Sequence, residues 1–141
     1  MHANDISADR SATRALLEDT RSIAIVGLSP NPARASNEVA RYLRAAGYTI
    51  IPINPACDEV LGEKCYASLR EVPGPIDMVD VFRRPEEVMI VAADAIAVGA
   101  RSLWLQLGVI APEAAERAAA AGLKVVMDRC TKVEHAVLIG R

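Results

Sequence analysis

Residues 23–36 read Ile-Ala-Ile-Val-Gly-Leu-Ser-Pro-Asn-Pro-Ala-Arg-Ala-Ser, and this stretch passes from an apolar run through a loop into a helix. The run at residues 23–26 is rich in β-branched residues without polar alternation, which is typical of a parallel strand covered on both faces. Ser36 can cap the following helix, Glu38 suits its first turn, and Gly47 ends it. The stretch therefore predicts a strand–loop–helix unit.

The same order recurs along the chain. Four further apolar runs are predicted to be strands: residues 49–53, 78–82, 102–105 and 124–127. Helices are predicted from Pro85 to near Gly99 and from Pro112 to Ala121, since each start has a proline followed by an acid and each stop has a glycine. Alternating strands and helices with right-handed crossovers predict a doubly wound α/β fold. We expect a parallel five-stranded sheet with helices on both faces, a three-layer sandwich.

Two segments depart from this order. Residues 7–19 predict a leading amphipathic helix. Its expected apolar anchors are Ala15, Leu16 and Leu17. Residues 1–20 should then form a helical extension packed on one domain of residues 21–141. The connection at residues 54–75 is long and contains proline and glycine, so at most a short helical turn is expected there, around residues 68–70.

Composition limits the function classes. The chain has 141 residues, of which 52% are hydrophobic and 24% are charged, and its formal net charge is −2. One core is therefore expected, and no global field would attract nucleic acid or an anionic membrane. The polar start does not resemble a secretory signal, and the apolar window at residues 88–100 is shorter than the roughly 20 residues of a membrane span. We expect a soluble, cytoplasmic protein whose three cysteines are reduced thiols.

The loop at residues 27–36 is the first candidate site, because ligands of open α/β sheets bind beyond the carboxyl ends of the strands. Turn formers, hydroxyls and Arg34 precede a helix N-terminus here, a composition that favours binding of a phosphate. The alternative is a plain surface loop. A dinucleotide fingerprint is missing, since only Gly27 of its glycines is present and the second strand ends in Asn54-Pro55 rather than an acid. NAD is therefore disfavoured.

The later strands add further candidates. The third strand leads into Phe82-Arg83-Arg84-Pro85, where at most one arginine is expected to point into the cleft. Gln106 follows the fourth strand and could hydrogen-bond a ligand amide. Trp104 is more often a core residue than a ligand contact.

Cys130 follows the fifth strand at the start of a possible helical turn, where a thiolate could be stabilised. A buried or capping cysteine is the commoner outcome. His135 lies five residues on, so the two do not share a helix face as a nucleophile pair. The cysteines and His135 include no closely spaced ligand pair, so no metal site is predicted.

Five segments, in order along the chain, closely resemble the small standalone CoA-binding proteins. They are Val26-Gly27-Leu28-Ser29-Pro30-Asn31-Pro32 with Arg34 and Ser36, Ile53-Asn54-Pro55, Val81-Phe82-Arg83, Trp104-Leu105-Gln106-Leu107-Gly108-Val109, and Met127-Asp128-Arg129-Cys130 with Glu134-His135. That family's fold is related to the CoA-binding domain of the succinyl-CoA synthetase alpha subunit. The resemblance implies a Rossmann-like domain that binds coenzyme A by its nucleotide end. The synthetase carries its catalytic histidine on a further domain, so ligase activity is not implied.

The resemblance also implies roles for individual residues. The pyrophosphate would be held by Gly27, Ser29, Pro30, Arg34 and Ser36. The adenosine would be flanked by Asn54 and Pro55, the cleft bordered by Phe82 and Arg83, and the pantetheine side formed by Gln106 and Gly108. Cys130 belongs to the family motif without an assigned role.

The expected function is therefore binding of coenzyme A or an acyl-CoA without catalytic residues of its own. Three alternatives stay open. The first is a thiol-dependent enzyme or redox switch that uses Cys130 with CoA. The second is a protein that binds an NAD(P)-type nucleotide. The third is an interaction module that keeps the fold without a ligand.

Overall fold

The structure, a computed structural model, describes residues 2–140. Its strands are β1 (Ser22–Val26), β2 (Thr49–Ile53), β3 (Glu59–Val60), β4 (Glu63–Lys64), β5 (Met78–Val81), β6 (Ser102–Leu105) and β7 (Lys124–Val126). Its helices are α1 (Arg10–Asp19), α2 (Ala35–Ala45), α3 (Val88–Ala97), α4 (Pro112–Ala120) and α5 (Thr131–Leu138). Short 3-10 turns lie at Leu69–Glu71 and Pro85–Glu87.

Five strands form one parallel sheet in the order β2-β1-β5-β6-β7. Consecutive strands run outward from β1 in both directions, so the strand order reverses between β1 and β5. The predicted doubly wound, Rossmann-like architecture is confirmed, and the predicted strands match within one residue at each end.

The two faces of the sheet carry two separate apolar cores. On one face, Val79, Val81 and Leu103 pack beneath α3 and α4. On the other face, Met78 and Trp104 pack with side chains of α1 and α2. Trp104 is fully buried, and its indole N–H donates to the carbonyl oxygen of Arg129 at 2.8 Å, so it is a core residue.

The leading helix starts later than residues 7–19 predict. Asp9 is its N-cap, with Oδ1 accepting from the backbone N–H of Ala12 at 3.0 Å. Ser7 instead accepts a hydrogen bond from the backbone N–H of Met127. Leu17 is buried as expected, whereas Ala15 is exposed and its predicted anchor role is wrong.

The segment before α1 lies along the edge of the sheet. The backbone N–H of Ile6 donates to the Val125 carbonyl oxygen, and the N–H of Val125 donates to the Asn4 carbonyl oxygen, both at 2.9 Å. This segment therefore covers the edge strand β7, which would otherwise present unpaired backbone groups. Within residues 2–140, no helix is long and apolar enough to cross a membrane.

Three local features differ from the sequence-based expectations. The connection at residues 54–75 contains the β3–β4 hairpin in addition to the expected turn. The possible helical turn after β7 is a helix of eight residues, α5. Ser36 does not cap α2, because Arg34 occupies the N-cap position and the Ser36 hydroxyl oxygen accepts from the backbone N–H of Ser29 at 3.0 Å.

Candidate functional site

The loops after β1 and β5 meet at the point where strand order reverses. Gly27 follows β1 with a φ of +88°, and a Cβ added there would lie 2.3 Å from the carbonyl oxygen of Phe82. The backbone N–H of Phe82 donates to the Val26 carbonyl oxygen at 2.9 Å. Only glycine permits both this backbone conformation and this approach. Gly27 therefore brings the two loops into contact at the carboxyl edge of the sheet.

The loop at residues 27–34, which we call the first loop, is held by its own side chains. Ser29 accepts from the backbone N–H of Asn31 at 3.1 Å, and Asn31 accepts from that of Ala33 at 2.9 Å. Asn37 of α2 donates from Nδ2 to the carbonyl oxygen of Ser29. Pro30 and Pro32 fix φ at two further positions. Hydrogen bonds and prolines thus define the conformation of the first loop.

These contacts do not use the first backbone N–H groups of α2, which can therefore donate to an anion. The N–H groups of Ala35 and Ser36 are in the first turn, where no intrahelical acceptor exists. Arg34 is exposed beside them and forms no ion pair with the described residues. Arg34 and the helix start can therefore act together on a phosphate.

Two cavities open at this edge of the sheet. The larger cavity is about 730 Å³ and is bounded by α2, by the loops after β5 and β6, and by Cys130. The smaller cavity is about 240 Å³ and lies between the ends of β1 and β2, the turn at Leu69–Glu71, and α3. Arg83 and Glu87 line both cavities. The two cavities therefore lie on either side of these two side chains.

The two adjacent arginines are placed differently. Arg83 is half-buried, and its Nε lies 3.8 Å from a Glu87 carboxylate oxygen. Arg84 is exposed and pairs with Glu87 at 3.0 Å. Phe82 lies with them on the wall of the larger cavity. Both arginines thus line the larger cavity, where at most one was expected, and of the two only Arg83 also lines the smaller cavity.

Asn54 and Pro55 have separate roles. The Asn54 side chain donates from Nδ2 to the carbonyl oxygen of Leu28 at 3.0 Å and accepts from the backbone N–H of Ala56 at 2.9 Å. Both ends of its amide are engaged, so Asn54 ties the end of β2 to the first loop. Pro55 lines the smaller cavity.

Below the larger cavity lies a buried polar cluster of Asp80, Gln106 and Thr131, which we call the cleft floor. Gln106 donates from Nε2 to Oδ1 of Asp80 at 2.6 Å and to Oγ1 of Thr131 at 2.8 Å. The Thr131 hydroxyl donates to Oδ2 of Asp80 at 3.0 Å. Burial raises the pKa of Asp80 to about 7, although the hydrogen bonds from Gln106 and Thr131 oppose this rise.

Sequence reasoning found Gln106 and missed its two partners. One signal was available, since Asp80 interrupts the apolar run Met78-Val79-Asp80-Val81 and a buried acid needs partners. Gln106 and Thr131 lie 26 and 51 residues from Asp80 in the chain, and no local pattern connects the three residues.

Gly108 is the other glycine of the cleft. Its φ is +86°, and its backbone N–H donates to Oδ1 of Asp128 at 2.8 Å. This bond joins the loops after β6 and β7. Gly108 thereby shapes the wall of the larger cavity next to Gln106.

The cysteines and His135 do not assemble into one centre. Cys130 is half-buried, is the N-cap of α5 and lines the larger cavity. His135 is buried elsewhere, with Nδ1 2.8 Å from the Tyr42 hydroxyl, and burial lowers its pKa. Cys65 is buried against the carbonyl oxygen of Asn54. Across residues 2–140, no group of three or more histidine, cysteine or acidic residues could hold a metal ion.

A third hollow, of about 640 Å³, lies beside α4 and is lined by Pro112, Glu116 and Met127 among others. It shares no residue with the two cavities at the carboxyl ends of the strands. We therefore place the site at the edge where the first loop, both cavities and the cleft floor meet.

Several known proteins resemble this chain in sequence or in fold. The Bacillus subtilis (strain 168) protein YneT is 43% identical over 128 residues, which cover 91% of this chain and 95% of YneT. A structure described as a hypothetical protein from Pyrococcus horikoshii OT3 is 40% identical with a TM-score of 0.91, over 93% of this chain and 92% of that chain.

A further match is partial. The alpha subunit of acetate–CoA ligase (ADP-forming) II from Pyrococcus furiosus is 37% identical over 59 residues, which cover 41% of this chain and 13% of the subunit. Less than half of this chain thus matches a small part of the ligase subunit. Residues 21–136 match the sequence profile of a family described as "CoA binding domain". That match covers most of the chain and both loops that meet at the strand-order reversal, so the chain belongs to the CoA-binding domain family.

Proposed function

We propose that this protein binds coenzyme A or an acyl-CoA through its nucleotide and pyrophosphate, and that it carries no catalytic residues for a reaction of its own. The observation that carries the proposal is the pair of cavities at the carboxyl edge of the sheet, both lined by Arg83 and Glu87, with Arg34 beside the start of α2. Membership of the CoA-binding domain family supports coenzyme A as the ligand.

The cleft suggests an orientation for the ligand. The adenosine would occupy the smaller cavity beside Pro55. The pyrophosphate would lie at the start of α2, within reach of Arg34 and Ser29. The Ser29 hydroxyl accepts one hydrogen bond from Asn31, so its hydrogen is available to a phosphate oxygen. The pantetheine arm would then extend into the larger cavity.

Two of the expected contact residues support this site indirectly. Ser36 is buried and accepts from the N–H of Ser29, so its hydroxyl holds the first loop in place. Asn54 has both ends of its amide engaged. Their contribution to binding would be a preorganised loop, which lowers the entropy lost on binding.

The arrangement of reactive groups supports binding rather than catalysis. Both carboxylate oxygens of Asp80 are engaged within the cleft floor. His135 contacts Tyr42 and does not line the larger cavity, where Cys130 lies. Neither Asp80 nor His135 is therefore placed to act as a base for Cys130 in the larger cavity.

Calorimetric titration with CoA, acetyl-CoA, NAD and ATP tests the proposal. CoA and acetyl-CoA should bind at physiological concentration, and NAD should not. Arg34→Ala should weaken CoA binding about 10- to 150-fold, because a charge-assisted contact to phosphate contributes about 1.5–3 kcal/mol. NAD binding in the absence of CoA binding would overturn the proposal.

Arg101→Ala is the matched control for Arg34→Ala. Arg101 is also an exposed arginine, but it precedes β6 and so lies at the opposite edge of the sheet. Its removal changes the net charge by the same amount and should leave CoA affinity unchanged. Equal losses in both variants would mean that Arg34 acts only through the overall charge.

A second candidate function uses the same cleft, because Cys130 lines the larger cavity. The Cys130 thiolate would attack CoA disulfide, forming a Cys130–CoA disulfide and releasing one CoA thiolate. Mass measurement after exposure to CoA disulfide would show an adduct that reductant removes. The adduct should be absent in Cys130→Ser and present in Cys57→Ser. An unmodified wild-type protein would leave simple binding as the function.

A further inference from the structure

The cleft floor uses every hydrogen that its side chains can donate. Asp80, when ionised, can only accept, and it accepts from Gln106 at Oδ1 and from Thr131 at Oδ2. Thr131 has one hydrogen and gives it to Asp80. Gln106 has two amide hydrogens, of which one goes to Asp80 and the other to Thr131. While Asp80 is ionised, no other assignment of these hydrogens satisfies the three distances at once.

This arrangement decides which end of the Gln106 amide faces the ligand. Gln106 is 96% buried, with 4% of its surface exposed, and it lines the larger cavity. Within residues 2–140, no group donates to its Oε1. No fully enclosed side-chain nitrogen or oxygen in that range lacks a partner. The oxygen must therefore be accessible, and the larger cavity is the space that Gln106 borders.

We propose that Asp80 is a positioning residue that holds the Gln106 amide with its oxygen toward the larger cavity, so that this wall selects ligands presenting a hydrogen-bond donor there. The identity of the donor rests on the proposed function: in CoA it is an amide N–H of the pantetheine arm. A ligand that presents only acceptors at this point would place an acceptor atom against Oε1 of Gln106. Two acceptors that face each other are unfavourable in a buried wall.

The orientation of the Gln106 amide depends on Asp80 being ionised. If the Gln106 amide were reversed, its oxygen would face an ionised Asp80, and two acceptors cannot form a hydrogen bond. A protonated Asp80, by contrast, can donate to that oxygen, which allows the amide to turn. The pKa of Asp80, raised by burial to about 7, places this change within an accessible pH range.

Other titratable groups around Asp80 are distinguishable from it. The flanking strands β1 and β6 carry none. The helices α5, α2 and α3 carry eight titratable groups, and Cys130 precedes α5. The eight are Lys132, Glu134, His135, Glu38, Arg41, Tyr42, Arg44 and Asp94. Of these, only His135 has an ordinary pKa near neutrality, and burial lowers it. His135 contacts Tyr42 and does not line the larger cavity.

The first test uses the free protein, so it does not depend on CoA binding. Nuclear magnetic resonance should show both side-chain amide hydrogens of Gln106 exchanging slowly with solvent, with chemical shifts that titrate near pH 7. In Asp80→Asn the titration should vanish, and in Thr131→Ser, which keeps the hydroxyl, it should remain. Rapidly exchanging amide hydrogens that do not titrate would overturn the inference.

The second test compares CoA with two analogues in which one pantetheine amide N–H is replaced by an ester oxygen. At pH 8, wild type should bind one of these analogues about tenfold more weakly than CoA, because one buried hydrogen bond is lost. The Asp80→Asn variant has a neutral amide at this position, which lets the Gln106 amide turn. In this variant the difference in affinity between CoA and that analogue should fall to about twofold. Thr131→Ser should discriminate as wild type does.

The outcomes separate the two proposals. Equal affinity of wild type for CoA and both analogues overturns the selection by Gln106 and leaves CoA binding intact. Absence of CoA binding in wild type overturns the proposed function, while the resonances of Gln106 still decide whether Asp80 orients its amide. Discrimination that persists in a folded Asp80→Asn variant would show that Asp80 does not set the orientation.

Discussion

The first loop and the cleft floor face the same site and are built in opposite ways. The first loop places its polar groups within ten residues of sequence, and its hydrogen bonds join residues two to eight positions apart. The cleft floor joins β5, β6 and α5 through side chains 25 to 51 positions apart. The difference teaches that local hydrogen bonds shape the backbone of the first loop, whereas long-range side-chain contacts form the polar wall of the larger cavity.

Exposure also separates the two regions. Arg34 and Pro30 of the first loop are exposed, whereas Asp80 and Thr131 have no exposed surface. Exposed hydrogen bonds are replaced by water when they are lost, and buried ones leave an unpaired group. Substitutions in the first loop should therefore cost little, apart from positions where backbone meets backbone, and substitutions in the cleft floor should cost more.

Gly27→Ala tests the exception in the first loop and has the largest expected effect. The added Cβ would lie 2.3 Å from the Phe82 carbonyl oxygen, at a φ of +88°. Backbone cannot rotate away as a side chain can, so the variant should lose more than about 4 kcal/mol of unfolding free energy. Urea denaturation measures the loss.

Gly108→Ala separates the close contact from the backbone conformation. Gly108 has a similar φ of +86°, but an added Cβ meets nothing within 4 Å. Only strain is then added, which costs about 1–3 kcal/mol. Equal losses in the two variants would show that the approach of Phe82 contributes nothing, and that the first loop depends on backbone conformation alone.

Asp80→Asn tests the cleft floor through the pH dependence of stability. The pKa of Asp80 rises from its ordinary value of 3.8 to about 7 on folding, so the folded state binds this proton more tightly than the unfolded chain. Its contribution to stability is therefore largest below pH 4 and falls as the pH rises toward 7. From pH 5 to pH 8, wild type should lose about 3 kcal/mol through this group.

Asp80→Asn, which does not titrate, should lack this fall, so the stability of wild type relative to the variant should drop by about 3 kcal/mol from pH 5 to pH 8. Urea denaturation at several pH values measures both slopes. Asp94→Asn is the control, because Asp94 lies on the opposite face of the sheet and pairs with Arg70. A wild type whose stability does not fall between pH 5 and pH 8 relative to Asp80→Asn would show that Asp80 is ionised in the folded protein throughout.

The same contrast explains what the sequence could predict. The five strands and the helices after β1, β5 and β6 follow from local signals: apolar runs, a proline at a helix start and a glycine at its end. The first loop was found because turn formers, Arg34 and a helix start are contiguous. The leading helix was placed too early because Asp9, rather than Ser7, caps it.

The missed features depend on contacts between distant residues. Asp80 gave a visible signal, a lone acid in an apolar strand, but its partners Gln106 and Thr131 are known only once the strand order is known. The helix α5 has little local support, since its cap, Cys130, forms no side-chain hydrogen bond with it. That helix is held at its first residue by Asp80 and later by the contact between His135 and Tyr42.

Ser36→Ala has the smallest expected effect and tests whether the first loop is preorganised. The variant removes the acceptor of the Ser29 backbone N–H at a partly buried position, which should cost about 1 kcal/mol of unfolding free energy. Ser68→Ala is the control, because Ser68 lines the smaller cavity and makes no capping hydrogen bond. It should change stability by less than about 0.5 kcal/mol.

Ser36→Ala and Ser36→Thr also show whether Ser36 holds the first loop or contacts CoA directly. If Ser36 acts by holding the first loop, Ser36→Ala should weaken CoA binding a few-fold, through the added cost of ordering the loop. Ser36→Thr, which keeps the hydroxyl, should then restore both stability and affinity if the added methyl group fits. A variant with wild-type stability but much weaker CoA binding would contradict this view, because the Ser36 hydroxyl would then contact the ligand itself.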